Sequence, residues 1–367
     1  MTPTPKKRVT IKSIAEEMGI SFSTVSKALN GDPLVNKETV KRVLQKAEEL
    51  NYSPNLLARG LRSKGTKTIG IILNDLENQA HTNIVRRISI DLAKHDYTTL
   101  LCDSQFDLSM ERKNIKTVLS RMPDSIMISP VSSRSDNLSL LSHMWDRTIV
   151  LDYISNSIDT NYVNVNHARS GYLSAAALLS RGHLHNLVLA GPVDFPASTS
   201  YIQGIKQAYN EYGLPFQEEM IVHGVPSIEE GYKSILEKYA AQQTDQSFTG
   251  VIAFCDTLAF GVYKAAAKLN LRIPEDISVI GYDDNPLSSF SSPPLTSVHF
   301  PRERVAAHCS DILIEKLVHQ EDRLRFYSLE PHLMERGSVQ QPNDAPFQPF
   351  ARSRQSPINS TKLPRKP

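Results

Sequence analysis

A short stretch near the amino terminus, from Val9 to Leu29, restricts the possible folds of this chain more than any other part of the sequence. Four apolar residues there recur at i, i+3, i+4 and i+7, the spacing of one helical face: Ile11, Ile14, Ala15 and Met18. Thr10 is placed to cap this helix, and Gly19 follows as a residue that ends helices readily. Ser21 then caps a second helix, whose Val25 and Leu29 point inward. The pattern predicts two short helices around a tight turn.

A third helix is expected after the turn at Asn30–Pro33, with Asn36 as its N-cap and Asn51 near its end. Its apolar stripe comprises Val40, Val43, Leu44, Ala47 and Leu50. Together the three helices would share a small core of Ile14, Met18, Val25, Leu29, Val40 and Leu44. Such a core gives only marginal stability by itself, which is typical of a module that its binding partner stabilises.

The spacing of the first two helices is that of a helix-turn-helix, whose second helix lies in a DNA major groove. If Val25 and Leu29 face the core, then Phe22, Ser23 and Lys27 face outward. Serine and lysine can donate to base edges and phosphates, and phenylalanine can contact a thymine methyl group. The alternative is an ordinary solvated helix surface. The intact turn favours DNA binding.

The charge distribution points the same way. Residues 1–67 carry 13 Lys and Arg against 6 Asp and Glu, whereas the remaining residues carry 28 against 33. A basic leading segment on an acidic body indicates a head that binds a polyanion. The 367 residues, 40% of them hydrophobic and 22% charged, suffice for two or three compact globular units.

Several function classes find no support in the sequence. The cysteines Cys102, Cys255 and Cys309 are far apart and lack metal-ligand spacing, so reduced thiols in a cytoplasmic protein are expected. We find no signal peptide and no apolar run long enough for a membrane span. His183 and His185 are interpreted as a surface pair rather than a metal site. No nucleophile elbow, phosphate-binding loop or zinc-protease helix is present, so neither an enzyme nor a cofactor is predicted.

Residues 53–67 form a candidate hinge. Ser53 as a cap and Pro54 at the first helical position would start a short helix. Gly60 costs that helix about 1 kcal/mol relative to alanine, and an isolated helix of this length is largely melted in water. A segment that folds only when it packs against a partner is suited to act as a conformational switch.

From Thr68 the pattern changes to apolar runs that alternate with helical stretches. Expected strands start at Thr68 and Thr98 and cover Ser125–Ile128, Thr148–Leu151, Leu187–Ala190, Gly250–Phe254 and Ile277–Gly281. Expected helices cover about Thr82–Lys94 and Met110–Arg121. This alternation predicts an α/β body of two parallel-sheet subdomains.

Open parallel sheets bind ligands at the carboxyl ends of their strands. Polar residues follow several of these strands: Asp75, Asn78, Asp152, Cys255, Asp256, Asp283 and Asp284. Carboxylates accept hydrogen bonds well from sugar hydroxyl groups. The alternative for Asp75, Asp256 and Asp284 is that each caps the next helix.

Residues 9–67 resemble the DNA-binding head of the LacI/GalR family of bacterial repressors. The resemblance rests on Val9–Ile11, Ala15, Gly19–Ser21, Ser23–Ser26, Leu29–Gly31, Val35, Leu50–Tyr52, Pro54, Asn55, Ala58, Arg59 and Leu61. It implies that the hinge helix pairs with its twin in the minor groove, where Leu61 wedges between base steps. The DNA contacts expected from motif and resemblance are Thr10, Ser21, Phe22, Ser23, Thr24, Ser26, Lys27, Asn30, Asn55, Ala58 and Leu61.

The body resembles the periplasmic-binding-protein-like effector domain of the same family, through Asp152, Arg181–His183, Ala190–Pro192, Ile273–Asp284 and Pro293–Val298. The resemblance implies a small-molecule effector, such as a sugar or nucleobase, between the subdomains. Tyr201 and Cys255 stand where the family usually has arginine and asparagine, which removes hydrogen-bond donors. Tyr201 instead offers an aromatic face for stacking on a ring. The expected effector contacts are Asp75, Asn78, Asp152, Tyr201, Cys255 and Asp283.

The sequence therefore predicts a helix-turn-helix head over residues 1–52 and a hinge over 53–67. Residues 68–340 are predicted to form a body that binds the effector and dimerises. Residues 341–367 are predicted to form a disordered, proline-rich basic tail. The expected function is that of a homodimeric transcriptional regulator on pseudo-palindromic double-stranded operator DNA, with repression favoured over activation. The effector, carbohydrate or similar, acts as inducer or corepressor. The alternatives are an effector-independent regulator, a plain solute-binding protein, or an enzyme using the cleft carboxylates.

Overall fold

The computed structural model describes residues 9–52, 65–153, 158–240 and 248–342. The chain divides into two compact units, with the boundary between Thr66 and Lys67. We call the first unit the head and the second the body. The predicted hinge helix and almost all of the predicted tail lie outside the described residues.

The head contains three helices: α1 (Ile11–Met18), α2 (Phe22–Leu29) and α3 (Lys37–Glu49). The predicted caps are confirmed, since Thr10, Ser21 and Asn36 each accept a backbone N–H of the following helix, and Gly19 is left-handed with φ 62°. Buried residues form the small core: Ile14, Ala15, Val25, Ala28, Val43 and Ala47. The prediction that Leu44 joins this core is wrong, because its side chain is 50% exposed.

The body contains twelve described strands. In chain order they are β1 (Thr68–Leu73), β2 (Thr98–Asp103), β3 (Ser125–Ile128), β4 (Thr148–Leu151), β5 (Asn161–Val165), β6 (Asn186–Ala190), β7 (Ile221–His223), β8 (Gly250–Ala253), β9 (Ser278–Asp283), β10 (Thr296–His299), β11 (Phe326–Leu329) and β12 (His332–Met334).

The helices of the body are α4 (Gln79–Ala93), α5 (Leu108–Leu119), α6 (His167–Leu179), α7 (Pro196–Glu211), α8 (Ile228–Ala240), α9 (Asp256–Leu269) and α10 (Arg302–Leu317). Short 3-10 segments cover Asp136–Arg147, Glu218–Met220 and Pro286–Ser289. No described helix has the combination of length and apolar character that crossing a membrane requires.

The strands form two six-stranded sheets. Sheet 1 has the order β11-β5-β4-β3-β1-β2, with every neighbouring pair parallel. Sheet 2 has the order β12-β10-β9-β8-β6-β7 and is parallel except for the β10–β12 pair. Their central strands are buried along nearly their whole length, as expected where helices cover both faces. The predicted fold class is confirmed.

The chain crosses between the sheets three times among the described residues: from β5 to β6, from β10 to β11, and from β11 to β12. Residues that follow strands of both sheets line one cleft, so the carboxyl ends of the two sets of strands meet there. Helix α10 packs on α4 and on β5, which places it with sheet 1.

Two predicted helix boundaries are wrong by a few residues. Helix α4 begins at Gln79 rather than Thr82 because the Asn78 side chain accepts the Ala80 N–H at 2.8 Å. Helix α5 begins at Leu108 because Asp107 accepts the Met110 N–H at 2.7 Å. The first turns of both helices contain polar residues, which the apolar stripe does not mark.

Candidate nucleic-acid interface and effector cleft

The outward face of α2 is where the sequence placed it. Phe22, Ser23 and Lys27 are exposed, whereas Val25 and Ala28 are buried against the other two helices. An exposed phenylalanine on a short helix, beside a serine and a lysine, leaves an apolar contact and two hydrogen-bond donors on one surface. Helix α2 can therefore present these side chains to base edges.

The remaining head residues predicted to contact DNA have local partners as well. The hydroxyl groups of Ser21 and Thr24 lie 2.8 Å apart, and the Ser21 Oγ also accepts the Thr24 N–H at 3.0 Å. Thr10 forms a capping box with Ser13. Asn30 donates to the Ser26 carbonyl at 2.7 Å. These bonds hold the ends of α1 and α2 in place, while Asn55, Ala58 and Leu61 lie outside the described residues.

The body contains a cleft at the carboxyl ends of strands from both sheets. The space between its walls is about 430 Å³, part of it open to solvent. Its lining comprises Asn74, Asp75, Asn78, His81, Phe106, Asp152, His167, Phe195, Ala197, Pro226, Phe254, Cys255, Tyr282, Asp283 and Phe300. Five of the six predicted effector contacts are among them.

Tyr201 is the exception. Its side chain is fully buried behind the cleft wall, its hydroxyl donates to Ser174 Oγ at 2.7 Å, and its ring stacks on Tyr282 at 5.5 Å between centroids. Burial raises the pKa of this phenol well above its usual value. The expectation that Tyr201 offers a face to the ligand is wrong, because the ring is packed as part of the core.

Asn78 and Asp283 join the two sides of the cleft. Asn78, which precedes α4 beside sheet 1, donates from Nδ2 to Asp283 Oδ2 at 3.1 Å, and Asp283 ends β9 of sheet 2. Desolvation, followed by the nearby Asp256 carboxylate, raises the pKa of Asp283 well above its ordinary value. Its side chain is only partly exposed to the cleft. The Asn78–Asp283 bond therefore gives the cleft a direct contact that opening would break.

Asp152 lies next to a buried pair of side chains. Its Oδ1 is 3.1 Å from His167 Nε2, and the other ring nitrogen of His167 lies 2.9 Å from the Tyr282 hydroxyl. Both Asp152 and Asp283 have positive φ angles, 53° and 108°. Non-glycine residues adopt such angles at a cost in energy, and they cluster at functional sites. The backbone here aims the two carboxyl groups toward the cleft.

Asp256 lies beneath the cleft rather than in its wall. Its side chain, 1% exposed, accepts hydrogen bonds from Asn285 N, Ser288 Oγ and Ser297 Oγ at 2.6–2.7 Å. It therefore holds the segment after β9. The helix-capping alternative is wrong for all three aspartates: Asn78 caps α4, Asp256 is already inside α9, and Asp284 pairs with His299 and Arg336.

The interpretation of His183 as a surface residue is also wrong. It is 1% exposed, and its ring nitrogens lie 2.9 Å from Thr249 Oγ1 and 2.7 Å from the Gln340 carbonyl. Burial lowers its pKa. His183 therefore ties the end of the body to sheet 2. Within the described ranges, no group of three or more His, Cys, Asp or Glu side chains is placed to hold a metal ion.

The aromatic residues of the cleft were not among the predicted contacts. Phe106, Phe195, Phe254 and Phe300 each lie within a few residues after a strand end, and Tyr282 is within β9. The rule that singled out polar residues at strand ends would have found these rings had it been applied to every residue type.

Comparison with known proteins agrees with both units. Residues 10–55 match the model of bacterial regulatory proteins of the lacI family, and residues 175–339 match a periplasmic binding protein-like domain. The chain is 31% identical to the HTH-type transcriptional repressor PurR of Pasteurella multocida (strain Pm70), over 90% of this chain and 98% of the relative. It is 29% identical to the ribose operon repressor of Escherichia coli (strain K12), over 90% and 99%.

Among solved structures, the lac repressor dimer bound to operator and the anti-inducer ONPF superposes with a TM-score of 0.74. The alignment covers 91% of this chain and all of that one at 23% identity, so this likeness concerns the fold. The sequence match, which extends along nine-tenths of the chain, carries the assignment. This chain belongs to the lacI family of bacterial regulatory proteins.

Proposed function

We propose that this chain is a sequence-specific transcriptional regulator that binds a pseudo-palindromic operator as a homodimer in the cytoplasm. The observation that carries the proposal is the head, in which a capped α2 exposes Phe22, Ser23 and Lys27 beside a buried Val25. A two-fold dimer meets a two-fold DNA site, so each head reads one half-site. The relatives named PurR and ribose operon repressor favour repression over activation.

The proposed division of labour follows the chain. Residues 1–52 read bases, residues 53–67 form a hinge, residues 68–340 bind effector and dimerise, and residues 341–367 form a dispensable tail. The apolar side chains of Leu287 and Phe290, 59% and 83% exposed on one 3-10 turn and its end, support a contact with a second copy. Leu61 is proposed to wedge between central base steps of the operator.

The effector is proposed to bind in the cleft and to act by shifting a population. Asp75, Asn78, Asp152, Cys255 and Asp283 contribute to its wall from both subdomains. A small molecule that contacts both sides stabilises one relative arrangement of the subdomains over another. That preference would in turn determine whether two hinge segments can pair on DNA.

The test measures binding of the full chain to a palindrome from the DNA beside its gene, by fluorescence anisotropy, against a scrambled duplex. We expect at least about 1000-fold tighter binding to the palindrome. Ser23→Ala should reduce this ratio, whereas Glu48→Ala, an exposed change on α3, should leave it unchanged. Equal affinity for both duplexes would refute the proposed function.

A further inference from the structure

Acidic side chains in the cleft wall are not matched by lysine or arginine in its described part. Three carboxylates line it, from Asp75, Asp152 and Asp283, and the described part of the chain contributes no lysine or arginine to its wall. Arg302 is close to Asp283 but donates to the backbone carbonyls of Asp283 and Asp284 at 3.0 and 2.8 Å from outside the lining. An anionic ligand would therefore meet like charges there without a cation to balance them.

A second feature points independently to a ligand that donates hydrogen bonds. Asn74 follows β1 and is fully buried in the cleft wall, with its Nδ2 donating to Ser129 Oγ at 3.1 Å. Its Oδ1 has no hydrogen-bond partner. Buried polar atoms in native structures are nearly always satisfied, so an unpaired acceptor in a cavity wall indicates a donor that arrives with the ligand.

Five phenylalanine and tyrosine rings also line the cleft. Ring centroids follow one another from Phe106 to Phe195 at 5.2 Å, to Phe254 at 6.0 Å, to Tyr282 at 6.1 Å and to Phe300 at 6.2 Å. Aromatic faces attract organic cations, and cages of such rings recognise ammonium groups. Carboxylates combined with a continuous row of rings form a wall that suits a positively charged group on a small organic body.

In the described cleft wall, the only basic side chains beside these carboxylates are the imidazoles of His81 and His167, and His167 Nε2 lies 3.1 Å from Asp152 Oδ1. Burial raises the pKa of Asp75, and burial with the neighbouring Asp256 raises that of Asp283. An ammonium group brought by a ligand would stabilise their ionised forms. A bare metal ion fits less well, since the described acidic side chains are not grouped closely enough to coordinate one.

We propose that the effector of this cleft carries a protonated amine, held among Asp75, Asp152 and Asp283 against the aromatic row. Its body also supplies hydroxyl or N–H donors, one of them to Asn74 Oδ1. Amino sugars combine these features in one molecule. The proposal rests on the proposed function of the body as an effector-binding unit and specifies the chemistry of its ligand.

The test titrates the purified full chain with matched compounds by isothermal calorimetry at pH 7. One set is glucosamine, glucose, N-acetylglucosamine and glucose 6-phosphate, and a second is galactosamine with the corresponding galactose compounds. A third set is 1,4-diaminobutane with 1,4-butanediol. We expect an ammonium compound to bind at least tenfold more tightly than its neutral counterpart in one set or more, and the phosphates not to bind. A neutral or anionic compound that binds as tightly as its ammonium counterpart, or no binding by any ammonium compound, would overturn the proposal.

Variants separate charge from simple loss of folding. Asp152→Asn should remove at least tenfold of the affinity for the ammonium compound while changing that of a neutral counterpart less than twofold. Glu77→Gln, which removes the same charge from an exposed residue outside the lining, is the matched control and should change neither. Equal losses for both compounds in Asp152→Asn would contradict a charge-based role. Operator binding measured without ligand distinguishes the failures: if it persists, only the ligand assignment falls.

Discussion

Replacing Asp256 by asparagine should change how the stability of the body depends on pH. Asp256 is nearly inaccessible, and desolvation raises its pKa from 3.8 to about 6 despite hydrogen bonds from Ser288, Ser297 and Asn285 N. Because the folded state then binds the proton more tightly than the unfolded state, this group stabilises the fold fully below pH 3.8. That contribution is lost as the pH rises through about 6.

The magnitude follows from the size of the shift. Two pKa units correspond to roughly 3 kcal/mol, and about 2–3 kcal/mol of this should be lost between pH 4 and pH 7.5. Asp256→Asn removes the titration, so its free energy of unfolding should decline less over the same interval by about that amount. The quantity of interest is the difference between the stability–pH profiles of the parent chain and the variant, in which the contributions of most other titrating groups cancel. The contributions of Asp283 and Asp284 cancel least, because the charge of Asp284 raises the pKa of Asp256 and the charge of Asp256 raises the pKa of Asp283.

Urea unfolding followed by tryptophan fluorescence measures this directly, because the only tryptophan, Trp145, lies in the body. Asp311→Asn, an exposed change on α10, is the control and should track the parent chain. Parallel pH profiles for the parent and Asp256→Asn would refute the reasoning. A parent chain that gains stability relative to the variant as the pH rises would show that the three donors outweigh desolvation.

Three further predictions concern the head, the dimer and the helix packing. Lys27→Gln should lower the slope of log affinity against log salt by about 0.9 per protomer, measured by anisotropy; an unchanged slope would place Lys27 away from phosphates. Phe290→Asp should convert dimer to monomer in sedimentation velocity, and a persistent dimer would move the interface elsewhere. Gly204→Ala should lower the free energy of unfolding by about 1–3 kcal/mol, because a Cβ there meets the Ala168 carbonyl oxygen. Gln203→Ala, exposed on the same helix, should change urea unfolding by less than about 0.5 kcal/mol, and equal effects would contradict the packing argument.

The helices of the head could be predicted from the sequence because local interactions define their ends. Thr10, Ser21 and Asn36 are caps because their side chains reach N–H groups two or three residues ahead, an interaction that needs no distant partner. Leu44 was misassigned because it lies at the edge of the apolar stripe of α3, where the three described helices of the head leave half of it exposed. The strands of the body were equally plain where runs such as Thr68–Leu73 are buried on both faces.

The cleft was predictable only in part. The carboxylates that end strands could be named because parallel strands align their carboxyl ends. The aromatic residues were missed because only polar residues were considered at those strand ends, although Phe106, Phe254 and Phe300 follow strands in the same way. What the sequence does not show is that their rings form one row, since they come from segments nearly two hundred residues apart that meet in the folded body. Tyr201 shows the limit of position-by-position comparison. Its ring stacks on Tyr282 and its hydroxyl donates a hydrogen bond to Ser174 in the interior, so the residue is buried rather than directed at a ligand.

In the proposed function, two heads of this chain read one symmetric DNA site. Selection of bound duplexes from a random-sequence pool by the purified full chain, followed by sequencing, tests it most directly. We expect one enriched motif made of two inverted half-sites, which the Phe22→Ala variant should fail to enrich. Enrichment of a single unpaired half-site, or of no motif above the starting pool, would contradict it.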